Sequence, residues 1–147
     1  MTESSPRAVL NSLIETCKDA ERGLLHAAEL VKDPALKTFF TVAAQRRALL
    51  ATELLPHAQR LGGAETADGT TGATLHRKWM DVRSALSGHD DHAVVAEAER
   101  GDNISLLAFK SAVEGALPGT VRDIVEQAYR DITESHLRFE DLKGPKH

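Results

Sequence analysis

The tetrapeptide Ala20-Glu21-Arg22-Gly23 occurs again as Ala98-Glu99-Arg100-Gly101, and both copies lie within long stretches of helical periodicity. In each copy the glutamate falls where the apolar seam of its helix should continue. Burying an unpaired carboxylate costs several kcal/mol, so an acid on the seam must be paired, protonated or bound to a metal. The two positions therefore predict a polar centre inside an apolar helical bundle.

The spacing of apolar residues predicts four long helices and a shorter fifth one. Alternating steps of four and three residues place the apolar side chains of each long segment on one face. The shorter segment carries Leu75, Trp79, Val82 and Leu86 on one face and lies in the connection between the two halves of the chain. The predicted helices are 6–32, 34–61, 73–87, 90–116 and 120–142.

Cap signals and short connections predict the topology. Ser5, Asp33, either Asp90 or Asp91, and Thr120 are expected at helix N-termini, since their side chains can accept the first free backbone N–H groups. Two short connections make two antiparallel hairpins. The chain is thus predicted to be all-α: a single ferritin-like four-helix-bundle domain over residues 1–147, with a long crossover carrying an extra short helix.

Counting residues from the helix ends, at about 1.5 Å of rise per residue, estimates the depth of polar residues in the bundle. Glu21 and Gln45 are equally far from the first turn, and Glu99 and His136 are equally far from the second. If the crossover returns the chain to the end where the first helix finishes, all four lie in one layer. This layer is the predicted polar centre.

Composition excludes several functional classes. The chain has 147 residues, 41% of them hydrophobic, and 18 basic against 22 acidic side chains. Without a basic stripe, nucleic acid is not an expected partner. No stretch approaches the ~20 apolar residues of a membrane span, so the protein is expected to be cytoplasmic and not to bind a membrane. Cys17, the only cysteine, lies on an apolar helical face and is expected in the core rather than as a nucleophile.

Four segments of the chain resemble an uncharacterised family of bacterial four-helix-bundle proteins of the ferritin-like class, a domain of unknown function. The resemblance covers nearly the whole chain, and it implies the fold and a bacterial, stress-related setting without supplying a reaction. The segments that carry it are Leu13-Ile14-Glu15-Thr16 with Lys18-Asp19, Leu75-His76-Arg77-Lys78-Trp79-Met80-Asp81, Glu97-Ala98-Glu99-Arg100-Gly101-Asp102, and Ser135-His136.

The ferritin-like class also suggests a metal, because its di-iron members take one Glu from each of two helices and a Glu-x-x-His pair from each of the others. Glu21 and Glu99 match the single-Glu helices. The second and fourth helices lack the Glu-x-x-His pair, offering Gln45-Arg46-Arg47-Ala48 and Thr133-Glu134-Ser135-His136. A full di-iron centre is not expected; a single iron or manganese ion held by Glu21, Glu99, His136 and Gln45 is the metal hypothesis.

Three functions follow from these observations. The first is a binding protein that holds a metal ion in the polar layer. The second is a structural or interaction bundle whose buried acids pair with arginines, with exposed Leu25, Leu49 and Leu55 as candidates for a homo-oligomer surface. The third, a metal-dependent oxidase or peroxide-consuming enzyme, is the least expected, because it needs two metals and an open coordination site.

Overall fold

The computed structural model describes residues 5–61, 90–115 and 117–142 of the chain. These residues form four helices and no strand: α1 (Pro6–Leu30), α2 (Pro34–Arg60), α3 (Asp91–Glu114) and α4 (Gly119–Leu142). The prediction of an all-helical fold is confirmed. The predicted short helix 73–87 lies outside the described residues.

Side-chain caps begin the first three helices, as the sequence predicted. The Ser5 hydroxyl accepts the N–H of Ala8, and the Asp33 carboxylate accepts that of Ala35. Pro6 and Pro34 occupy the first helical positions, where a missing N–H costs no hydrogen bond. The helices therefore begin where local chemistry allows it.

The N-terminal caps predicted for α3 and α4 have different outcomes. Asp90 is the cap of α3, and its carboxylate accepts the N–H of Ala93 at 2.9 Å. The prediction of Thr120 as the cap of α4 is wrong, because α4 begins at Gly119 and its first turn is closed by the N–H of Arg122 donating to the carbonyl of Pro118.

Asp91 attaches the beginning of α3 to the turn between α1 and α2. Its two carboxylate oxygens accept the backbone N–H groups of Lys32 at 2.8 Å and Asp33 at 2.9 Å. These backbone donors, with help from the Lys32 and Lys37 charges, lower the pKa of Asp91 against a small opposing effect of burial. The connection from α2 to α3 thus starts at one end of the bundle and finishes at the other.

The helices pack in a ring with one loose side. α1 packs closely along α2 and also against α3, and α3 packs against α4, whereas α2 and α4 approach each other at few positions. Phe39 of α2 and Phe139 of α4 close this side near the α1–α2 turn, with ring centroids 5.1 Å apart and nearly perpendicular rings. No helix within the described ranges is both long and apolar enough to cross a membrane.

Candidate functional site

A layer of polar side chains divides the core into two apolar clusters. One cluster, near the α1–α2 turn, includes Leu24 and Phe40; the other, toward the α3–α4 turn, includes Leu54 and Phe109. Polar residues lie between the two clusters along α2, α3 and α4, and we call them the polar layer. They are Arg47 of α2, Asp102 and Ser105 of α3, and His136 of α4.

An ion pair between α2 and α3 forms the centre of the polar layer. Arg47 Nη2 donates to Asp102 Oδ1 at 2.5 Å, and their side chains are only 5% and 1% exposed. The other carboxylate oxygen of Asp102 lies 3.1 Å from His136 Nδ1 on α4. Asp102 thus joins three helices through one carboxylate, with its negative charge balanced by a guanidinium.

The imidazole of His136 also faces a second acid. Its Nε2 atom lies 3.8 Å from Glu99 Oε2. Both residues are half-buried. The sequence predicted that Glu99 and His136 lie at the same depth, and the structure brings these two together. Asp102, three residues after Glu99 on α3, lies on the opposite side of the imidazole, next to Nδ1.

The prediction that Gln45 belongs to this layer is wrong. Gln45 is exposed, and Arg47 is the α2 residue that reaches the polar layer. Depth counting from Pro34 found the correct level, but two residues along a helix rotate the side chain by about 200° at 3.6 residues per turn. The apolar stripe of α2 was the missed signal, since Arg47 follows Phe40 and Ala44 and precedes Ala51 and Leu54 on it.

Glu21 lies at the edge of the core, not on its seam. It is half-buried, and it makes no ion pair or hydrogen bond within the described residues. The fully buried acid of α1 is Asp19, whose side chain is 3% exposed and lies 3.6 Å from the guanidinium of Arg22. From the sequence, Asp19 was named only within the segments that carry the family resemblance and was given no role, although it is one turn away from the buried residues Thr16 and Gly23.

The repeated tetrapeptide has the same burial pattern in both copies. Its alanine and glycine are buried, its glutamate is half-buried and its arginine is exposed. Each arginine is placed near an acid three residues earlier: Arg22 near Asp19 and Arg100 near Glu97. Because α1 and α3 pack against each other, the repeat presents small side chains where two helices approach and leaves its charges at the edge.

Cys17 belongs to the apolar cluster that lies toward the α3–α4 turn. It is fully buried, and burial raises the pKa of its thiol to about 12, with the positive charge of Arg47 acting weakly in the opposite direction. A protonated, inaccessible thiol is neither a nucleophile nor a metal ligand. The structure therefore supports the prediction of a core cysteine.

The residues of the polar layer do not fit a two-metal centre of the ferritin type. Within the described part of the chain, no group of three or more His, Cys, Asp or Glu side chains is arranged to hold a metal ion. Arg47 adds a permanent positive charge directly beside Asp102, and a divalent cation bound there would be repelled by it. The guanidinium thus occupies the place where the acidic layer would attract a cation.

A groove runs between α2 and α4 on the loose side of the ring. Its larger part has a volume of about 580 Å³, with Leu49, Leu50 and Glu53 on the α2 wall and Ile124 and Gln127 on the α4 wall. A second part of about 470 Å³ continues toward the α1–α2 turn, beside Val42 and Arg138. We call these two parts together the α2–α4 groove.

The α2–α4 groove combines exposed apolar side chains with charges that have no partner among the described residues. Leu49 is 69% exposed, the highest value among the large apolar side chains of the described residues, and Val42 is 40% exposed. Arg46 and Glu53 are exposed on either side of Leu49 and make no ion pair or side-chain hydrogen bond within the described ranges. A surface of this composition is typical of a protein contact.

These features define the class as a four-helix bundle with a paired polar layer and an open lateral groove. A family model described as "Domain of unknown function (DUF2383)" matches residues 6–115, and the chain belongs to this family. The match includes α1, α2 and α3 and ends with Gly115, before α4. No curated protein matches the sequence.

Proposed function

We propose that this chain is a non-catalytic binding protein, a ferritin-like bundle that works by contact with another polypeptide along the α2–α4 groove. The observation that carries the proposal is the exposure of Leu49 on the groove wall. An apolar side chain of that size in water contributes nothing to the fold, whereas covering it with a partner recovers its transfer free energy, about 25 cal/mol for each Å² removed from water.

The polar layer supports the non-catalytic part of the proposal. Asp102 bonds to Arg47 and His136, so its charge is used in joining helices and not in holding a ligand. This corresponds to the hypothesis of buried acids paired with arginines. The helix directions, with α3 starting beside the α1–α2 turn, agree with the connectivity of the ferritin-like class.

Photo-crosslinking tests the proposal directly. A photoreactive amino acid placed at Leu49 in the chain, and illuminated in the producing cells, should give a discrete adduct. The matched control is the same amino acid at Leu107, which is 53% exposed on α3 and does not line the groove. An adduct that forms from position 49 and not from position 107 supports a binding face; no adduct from either position contradicts it.

A single metal ion is the second candidate, because the 3.8 Å approach of His136 Nε2 to Glu99 Oε2 places two common ligand types side by side. Iron or manganese would be the expected ion. Elemental analysis after incubation with ferrous iron or manganese and removal of the excess tests it. Near-stoichiometric metal should be lost in Glu99→Ala and His136→Ala and kept in the control Glu97→Ala; metal-free protein contradicts this candidate.

A further inference from the structure

The exposed charges on the α2 wall of the groove are arranged symmetrically about its centre; Arg47 also lines the groove, but it is buried and paired with Asp102. Arg46 lies three residues before Leu49, and Glu53 lies three residues after Leu50. All four residues line the larger part of the groove. Opposite charges at equal distances from an apolar pair make this wall complementary to a second copy of itself running in the opposite direction.

Within one chain, Arg46 and Glu53 do not form an ion pair with each other. Arg46 and Glu53 are seven residues apart on one helix, which is about 10 Å along its axis. Neither side chain has another partner in the described part of the chain. Both charges are therefore available to a molecule that lies in the groove, and its chemistry must include an acid near Arg46 and a base near Glu53.

We propose that the partner is a second copy of this chain, and this inference rests on the proposed function. Two α2 helices lie antiparallel about a two-fold axis beside Leu49 and Leu50. Leu49 then contacts Leu50 of the partner subunit, and Arg46 pairs with Glu53 of the partner subunit. The symmetry repeats each contact, so the dimer contains two ion pairs on either side of an apolar centre.

Separation between α2 and α4 gives the second copy room to dock. Because these helices approach each other at few positions, the groove beside Leu49 remains open to Ile124 on the opposite wall. An exposed leucine from the partner can enter this space and cover both walls. The dimer thus buries the apolar surface that the fold of one chain leaves in water.

Charge reversal combined with sedimentation velocity tests the dimer. The unmodified chain should show a concentration-dependent monomer–dimer equilibrium. Arg46→Glu alone and Glu53→Arg alone should each raise the dissociation constant by about tenfold, because each change replaces two attractions with two repulsions. The double variant should regain the affinity, and an equimolar mixture of the two single variants should form the mixed dimer in preference to either homodimer.

Matched variants separate a specific dimer from general effects. Leu49→Lys should abolish association, whereas Leu107→Lys should leave it unchanged, since Leu107 is exposed outside the groove. Thermal unfolding of each variant in dilute solution checks that the monomer still folds. A chain that is monomeric at every concentration overturns the inference, and so does a dimer that responds equally to Leu49→Lys and Leu107→Lys or ignores charge reversal.

The photo-crosslinking result separates failure of this inference from failure of the proposed function. An adduct from position 49 with the mass of two copies supports both. An adduct of another mass, together with a monomer in sedimentation, overturns the dimer and leaves the groove as a binding face for a different protein. Absence of an adduct from position 49, together with a monomer, overturns both.

Discussion

Arg46 and Arg47 are neighbours in α2, yet they belong to two different regions of the molecule. Arg47 points into the polar layer, where its guanidinium is 5% exposed and hydrogen-bonded to Asp102. Arg46 lies in the α2–α4 groove, exposed and without a partner among the described residues. The same side chain therefore serves the fold in one position and is available for association in the next.

The difference follows from the angle between adjacent residues of a helix and from the packing of its two sides. A step of about 100° takes the side chain from the centre of the bundle, where Arg47 reaches across to Asp102, to the α4 side of α2. In the centre of the bundle, a charge must be paired to be buried. On the α4 side, α2 and α4 approach each other at few positions, so charges and leucines remain in water. This contrast can be tested by changing one region at a time.

Removing Asp102 should lower the free energy of unfolding more than any of the other changes below. Asp102→Leu leaves the Arg47 guanidinium buried without its partner, and breaking a buried pair in this way costs about 3–5 kcal/mol of unfolding free energy. Urea unfolding followed by far-UV circular dichroism measures it. The control is Arg47→Met with Asp102→Leu, which removes both charges.

That double variant should recover most of the lost free energy of unfolding. An apolar replacement of a buried ion pair is often neutral or stabilising, and Arg47 Nε and Ser105 Oγ are buried here without hydrogen-bond partners in the described part of the protein. If the double variant is as unstable as the single one, the layer is held by contacts other than this ion pair. The role assigned to Arg47 would then be wrong.

Two leucines of α2 compare the regions with identical chemistry. Leu54 is fully buried and Leu49 is 69% exposed. Leu54→Ala should lower the free energy of unfolding by about 2–5 kcal/mol, since it creates a cavity. Leu49→Ala should change it by less than about 0.5 kcal/mol in dilute protein. Equal losses in urea unfolding would show that Leu49 is covered within the monomer, contrary to the open groove.

Asp91→Asn tests a charge at the end of the bundle against the buried charge of Asp102, and it should lower the stability by less. The pKa of Asp91 is lowered in the folded chain from its usual value of 3.8 by the backbone N–H groups of Lys32 and Asp33. Stability from this carboxylate is therefore fully present above the unfolded pKa and is lost as the pH falls through the lower folded pKa.

The Asp91→Asn variant should accordingly melt at a lower temperature than the unmodified chain near neutral pH. The two melting temperatures should converge as the solution is acidified below the folded pKa of Asp91. Differential scanning calorimetry over a pH series measures both. A difference that stays constant down to strongly acidic pH would mean that ionisation of Asp91 does not stabilise the contact with the α1–α2 turn.

The smallest effect is expected at Cys17, whose thiol should not be alkylated while the chain is folded. Because burial raises the pKa of its thiol to about 12, iodoacetamide at mildly alkaline pH should leave the folded chain unmodified over times that label a model thiol completely. The same reagent in urea is the control and should label Cys17 fully, as read by intact mass. Rapid labelling of the folded chain would contradict the close packing beside the polar layer.

Several features were determined by the sequence alone. Apolar steps of three and four residues, together with Ser5-Pro6 and Asp33-Pro34, predicted the first two helices and their N-termini, because propensity and capping act within a few residues. The equal depth of Glu99 and His136 followed from rise per residue in two helices joined by a short turn. The repeat of Ala-Glu-Arg-Gly predicted a polar centre at its two glutamates; Glu99 does approach His136, whereas the buried members of both copies are the alanine and the glycine.

Only the tertiary structure decided which polar residues face each other. Gln45 and Arg47 lie at nearly the same depth but about 200° apart around α2, and the apolar stripe of that helix is a local pattern that places Arg47 on the inner side. Which acid Arg47 meets there depends on how all the helices pack. The choice of Asp102 as the centre and the separation of α2 from α4 have the same origin. Local patterns set the length and the apolar face of each helix, while the pairing of charges and the open groove arise from distances between helices that no local pattern encodes.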